Sequence, residues 1–78
     1  MIWQAKQNFP EAQRDLDHAL RLDPENWASY YNRAQMFAEW GRPELARRDY
    51  KAAYDRAPGW ARARESVQAT MRHYGIIQ

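Results

Sequence analysis

Seventy-eight residues hold one small domain at most, and a fold of this size buries only about 60% of its unfolded surface. The chain has no cysteine, which excludes disulfides and thiolate metal sites. No apolar run approaches the ~20 residues that span a bilayer, and Met1-Ile2-Trp3 does not begin a signal peptide, so a cytoplasmic location is expected. The net charge of +2 is unevenly spread: residues 1–41 carry four basic and six acidic groups, and residues 42–78 carry eight and four.

The predicted elements open with a helical stub over 2–7. Pro10 before Glu11 suits the first turn of a helix over 10–22. Its apolar residues Ala12, Leu16, Ala19 and Leu20 recur at i, i+4, i+7 and i+8, one stripe of a 3.6-residue helix. Asp23-Pro24 ends it, because the residue before proline disfavours the helical region. Asn26 reads as the N-cap of a helix over 27–40, with Tyr30, Ala34 and Phe37 at i, i+4 and i+7. Gly41 supplies the left-handed stop. Pro43-Glu44 starts a helix over 44–57 striped by Ala46, Tyr50, Ala53 and Tyr54, and Ala57-Pro58 ends it. A last helix over 60–74 carries Ala63, Val67, Met71 and Tyr74, with Gly75 as its stop. No stretch alternates with period two. The fold class is therefore all-α, and helices joined by so few residues should pack as antiparallel neighbours.

These stripes repeat. Pro24 and Pro58 lie 34 residues apart, and at the same offset Ala12 matches Ala46, Arg14-Asp15 matches Arg48-Asp49, Leu16 matches Tyr50, Ala19 matches Ala53, and Trp40-Gly41 matches Tyr74-Gly75. A period of this length marks a helical solenoid. The chain resembles the tetratricopeptide repeat family in these residues. One full unit spans 27–60, with Tyr30 and Phe37 at the large positions, Ala34, Ala46 and Ala53 at the small ones, and Pro58 closing it. A truncated unit (1–26) precedes it, and the first helix of a further unit (61–78) follows. The departure is Arg33, which stands where the family has an aliphatic residue; a snorkelling Arg with its head in solvent is expected there.

The resemblance implies a helix-turn-helix solenoid whose first helices line a groove for a peptide or protein partner. Carried over, the groove positions are Tyr31, Asn32, Gln35 and Glu39 from the central unit and Arg62, Glu65, Ser66 and Arg72 from the next. Asn32 and Arg62 stand where chaperone-binding members keep part of a carboxylate clamp. Ser66 replaces the clamp's second basic residue and the first unit lacks its clamp helix, so a complete clamp is not expected. Asn32 and Arg62 either hold a peptide carboxylate or carbonyl or are ordinary solvated residues. The aromatics Trp27 and Trp60 are expected to pack on the preceding proline corner, with Tyr31 and Trp40 partly exposed.

Nothing in the sequence looks catalytic. His18 and His73 are 55 positions apart with no nucleophile or metal-ligand spacing, and three scattered glycines form no phosphate-cradling loop. No cofactor and no metal are expected. The last helix, with Val67, Met71, Tyr74 and Ile76-Ile77, lacks a following helix to cover it, and the stub with Ile2, Trp3 and Phe9 is equally short of cover. A homodimer or a piece of a longer array follows from those two ends. The expected function is a non-enzymatic interaction scaffold. An Arg-rich helical module associating with nucleic acid is the alternative, weakened by the acids interspersed among ten arginines.

Overall fold

The computed structural model describes residues 8–78; the predicted stub over 2–7, with Ile2 and Trp3, lies outside the described residues. Five helices follow in order: α1 Phe9–Leu22, α2 Trp27–Glu39, α3 Pro43–Arg56, α4 Gly59–Arg62 and α5 Glu65–His73. The described residues contain no strand.

The ends of these helices are set by local chemistry. The Asn8 side chain accepts from the Glu11 N–H at 3.2 Å and opens α1. Asn26 accepts from the N–H groups of Ala28 (3.0 Å) and Ser29 (3.3 Å) and opens α2, as expected. Gly41 takes φ +80° after α2. That conformation lets the Arg42 N–H donate to the Phe37 carbonyl at 2.8 Å and the Gly41 N–H to the Ala38 carbonyl at 3.2 Å, so two otherwise orphaned acceptors are satisfied. Gly75, at φ +73°, repeats this arrangement after α5, with Ile76 donating to Met71 at 2.8 Å.

The single helix predicted over 60–74 is broken. Residues 59–62 form α4, Arg64 is extended (φ −67°, ψ 136°), and α5 restarts at Glu65. None of Arg62, Ala63, Arg64 or Glu65 disfavours a helix strongly, so the break is tertiary in origin. The Arg62 guanidinium donates from Nε to the Tyr54 carbonyl (2.9 Å) and from Nη2 to the Asp55 carbonyl (3.0 Å). It thereby ties α4 to the last turn of α3, where a cation also complements the helix dipole. After the bend, α5 lies along α3 and seats Val67 and Met71 in the core.

The centre of the molecule is the α2–α3 hairpin, with α1 against α2 and α5 against α3. Its core joins Ala34, Met36 and Phe37 from α2, Ala46 and Tyr50 from α3, and Val67 and Met71 from α5. Ala34 and Ala46 are fully buried, so their missing bulk lets the two backbones approach. Tyr50 lies between Tyr31 (centroids 5.3 Å apart) and Tyr74 (4.9 Å), linking α2, α3 and the end of α5. Ala53 is 1% exposed. Ala53→Leu is expected to overpack this position and cost about 1–3 kcal/mol; an unchanged melting temperature would show that the site has room.

The expectation of an uncovered C-terminal helix does not hold. Val67 and Met71 are buried, and Ile76 and Ile77 turn back, half-buried, onto the core. Arg47 Nε holds this tail by donating to the Tyr74 carbonyl at 2.9 Å, and Arg72 Nε donates to the Gln78 carbonyl at 3.2 Å. The tail thus covers apolar surface that a further helix would otherwise have to bury. Large exposed apolar side chains among the described residues are Leu22 and Trp60.

Candidate functional site

Residues on adjacent faces of α1 and α2 leave a groove of about 270 Å³. Phe9, Ala12 and Leu16 of α1 and Met36 of α2 form its apolar part, and Asn8, Asn32, Gln35 and Glu39 provide its polar groups. The α1 N-cap Asn8 and the α1 residues Ala12 and Leu16 follow at i, i+4 and i+8; on α2 Asn32, Gln35, Met36 and Glu39 follow at i, i+3, i+4 and i+7. Each set is one helical face. Phe9 is held by stacking on Trp40 at 5.5 Å, and Trp40 in turn stacks near Phe37 at 6.3 Å. The α1 wall is therefore anchored to the core through Phe9.

Three of the residues predicted to bind a partner, Asn32, Gln35 and Glu39, come together in this groove. Tyr31 does not line it. It is turned toward the edges of Trp27 (6.1 Å) and Tyr50 (5.3 Å) and is half-buried, as expected of it. Arg62, Glu65, Ser66 and Arg72 are exposed on α4 and α5 and also lie outside the groove lining. Arg62 already serves α3, and its guanidinium sits 5.1 Å from the Tyr54 ring centre. The residues that the sequence reading missed are Asn8, Phe9, Ala12, Leu16 and Met36. Asn8 before Phe-Pro-Glu carries an N-cap signature; Ala12 and Leu16 were legible as apolar but not as lining.

Arg33 does not snorkel outward. Its Nε and Nη2 donate to the two oxygens of Asp49 at 2.7 and 2.9 Å, and its Nη1 donates to Asp17 at 2.7 Å. Asp49 is 1% exposed. The paired Asp49 carboxylate is the main reason the guanidinium proton is held more tightly than usual, burial working against it. One side chain thus ties α1, α2 and α3 together, with a two-pronged fork that Lys lacks.

The other arginines are largely occupied at home. Arg47, Arg56, Arg62 and Arg72 each donate to a backbone carbonyl, Arg56 also pairs with Glu25 at 3.5 Å, and Arg42 lies over Trp40 at 4.6 Å. Trp60 is less covered than a tryptophan packed on a proline corner would be. It rests edge-on against Trp27 at 6.0 Å and stays 64% exposed. Among the described residues, no group of three or more His, Asp or Glu is placed to hold a metal ion, and no helix is long and apolar enough to cross a membrane.

Two antiparallel-stripe helices with small buried alanines, closed by Gly41 and followed by a third helix, are the signature of a helical repeat. The family model for the tetratricopeptide repeat matches residues 16–48, which run from the second half of α1 through α2 into α3. No curated protein and no solved structure matches the chain. The matched stretch holds Asp17, Arg33 and the whole α2 side of the groove and stops one residue short of Asp49: over residues 16–48 this all-helical chain carries a tetratricopeptide repeat.

Proposed function

We propose that the chain is a scaffold that receives a peptide or protein partner in the α1–α2 groove. The observation that carries this reading is the groove itself, an apolar floor bordered by amide side chains and one carboxylate. Asn8, Asn32 and Gln35 each offer a donor and an acceptor, while Phe9, Leu16 and Met36 offer apolar contact. A volume of about 270 Å³ is enough for a few side chains of a partner. Tyr31, Arg62, Glu65, Ser66 and Arg72, carried over from the family's groove positions, are the alternative contact residues outside this groove.

The test is a titration of a displayed peptide library against wild type, Gln35→Arg and Arg72→Ala. Binding through the groove should weaken about tenfold or more in Gln35→Arg, a loss of about 1.4 kcal/mol, with little change in Arg72→Ala. The reverse pattern moves the partner to those alternative residues. Equal affinities for all three chains would remove both. Self-association belongs to the same reading: light scattering at high concentration that returns twice the chain mass would make a second copy the occupant.

A further inference from the structure

We propose that Trp60, Trp27 and Tyr31 form a one-electron relay that carries an oxidising equivalent from the surface of α4 to the phenol of Tyr31 on α2. The rings meet in series. Trp60 lies edge-on to Trp27 with centroids 6.0 Å apart and planes at 79°, and Trp27 lies edge-on to Tyr31 at 6.1 Å and 66°. Both separations are those of aromatic rings in contact, so an electron can pass from ring to ring along the series. Two features of the fold build it. Trp27 and Tyr31 are four residues apart on α2 and share one face of the helix. Trp60 is brought to them by α4, the short helix that Arg62 ties to the end of α3 by donating to the Tyr54 and Asp55 carbonyls.

The two ends of the series differ in exposure. Trp60 is 64% exposed and open to a diffusing oxidant, whereas Trp27 and Tyr31 are half-buried. An oxygen-centred radical, a class of oxidant that attacks exposed indoles, takes one electron from Trp60 and leaves as its anion. An electron then moves from Trp27 to Trp60 and one from Tyr31 to Trp27, so both indoles end as they began. Tyr31 gives its phenol proton to water and remains as the neutral tyrosyl radical. One electron has reached the oxidant, one proton has reached solvent, and no bond between heavy atoms has formed or broken. The direction is downhill because, near neutral pH, a tyrosyl radical is a weaker oxidant than an indolyl radical. Tyr50 touches Tyr31 at 5.3 Å but is a poorer resting place. It is nearly sealed from the water that must take the proton, and burial raises its phenol above the ordinary value. Trp40 is placed differently, stacked on Phe9 and Phe37, whose rings are too hard to oxidise to pass an electron on.

Pulse radiolysis of the whole chain in azide solution tests this. The azidyl radical oxidises indole in preference to phenol at neutral pH, and indolyl and tyrosyl radicals absorb at well-separated wavelengths. Wild type is expected to show a first-order phase in which the indolyl band decays as the tyrosyl band grows, at a rate independent of protein concentration. Trp27→Phe keeps a ring in the gap but removes the carrier, and Tyr31→Phe removes the final donor. Each should lose the phase, with circular dichroism and melting matched to wild type; if one of them unfolds, the other decides. Trp40→Phe and Tyr54→Phe should retain it. A phase that survives in a folded Trp27→Phe or Tyr31→Phe chain overturns the relay. So does its absence from wild type, a rate that rises with protein concentration, or its loss in folded Trp40→Phe or Tyr54→Phe.

Discussion

Arg33→Met is expected to destabilise the fold by about 3–5 kcal/mol, the usual cost of removing one partner of a buried ion pair. The substitution keeps most of the stem's packing and removes only the guanidinium. Asp49 would then be left 1% exposed with its main partner gone, and Asp17 would lose its 2.7 Å contact across the α1–α2 interface. For a domain of this size each kcal/mol moves the midpoint by about 4–8 °C, so thermal melting followed by circular dichroism should fall by at least roughly 12 °C. The companion double variant Arg33→Met/Asp49→Leu separates charge from packing. Replacing Arg33 and its buried partner by apolar groups should recover most of the loss, because the cost of holding the Asp49 charge out of water disappears as well, while the part-exposed Asp17 turns to solvent. A single variant that melts like wild type would show that the pair contributes nothing to holding the three helices together.

Tyr50→Ala carries a comparable expectation, a loss of about 3–5 kcal/mol. Tyr50 is 5% exposed and touches Tyr31 and Tyr74, so truncation removes the ring that joins α2 and the end of α5 across α3. The denaturation midpoint measures it, and no change would contradict the burial. Tyr50→Phe keeps the ring and should be nearly neutral at pH 7. The two differ in alkali. Burial, helped by nearby Tyr74, Tyr31 and Glu39, raises the Tyr50 phenol well above its ordinary value. In the unfolded chain that phenol ionises near pH 10. Above this pH the unfolded state has lost a proton that the folded state keeps, so stability falls as pH rises, by up to about 1.4 kcal/mol per pH unit from this group. Below pH 10 the contribution is fully present. Tyr50→Phe should lack this part of the alkaline slope in a pH series of denaturant melts.

Much of the architecture was legible because local rules governed it. Asn26, Gly41 and Gly75 act as a cap and two stops where their residue types said they would, since each function needs only the neighbouring backbone. The stripes of Ala34 with Phe37 and of Ala46 with Tyr50 became the core because a 3.6-residue period leaves one face to bury. Tyr30, counted in the same stripe, is only half-buried and lies under the guanidinium of Arg56 at 4.7 Å. Along the chain, nothing marks that Arg56 will reach back across the turn to it.

Arg33 shows the limit most clearly. Its two carboxylates, Asp17 and Asp49, each lie 16 residues away in opposite directions, a spacing that carries no periodic signal. The residue one period later is Val67, which is buried and aliphatic in the usual way. Read alone, an Arg at such a position is best placed with its head in water; only the meeting of α1 and α3 on either side of α2 provides an interior partner. The candidate site divides along the same line. Asn32, Gln35 and Glu39 share one face of α2 and could be grouped from spacing, but their opposing wall of Asn8, Phe9, Ala12 and Leu16 exists only because α1 docks there.

By itself the sequence determined the helical class, the helix ends, the 34-residue period and the small residues at which backbones approach, because each depends on interactions between residues a few positions apart. The tertiary structure decided the inward turn of Arg33, the bend between α4 and α5, the fold-back of Ile76 and Ile77 and the two walls of the groove. Those outcomes are set by burial and by pairing between distant segments, whose partners are fixed only when the helices have packed.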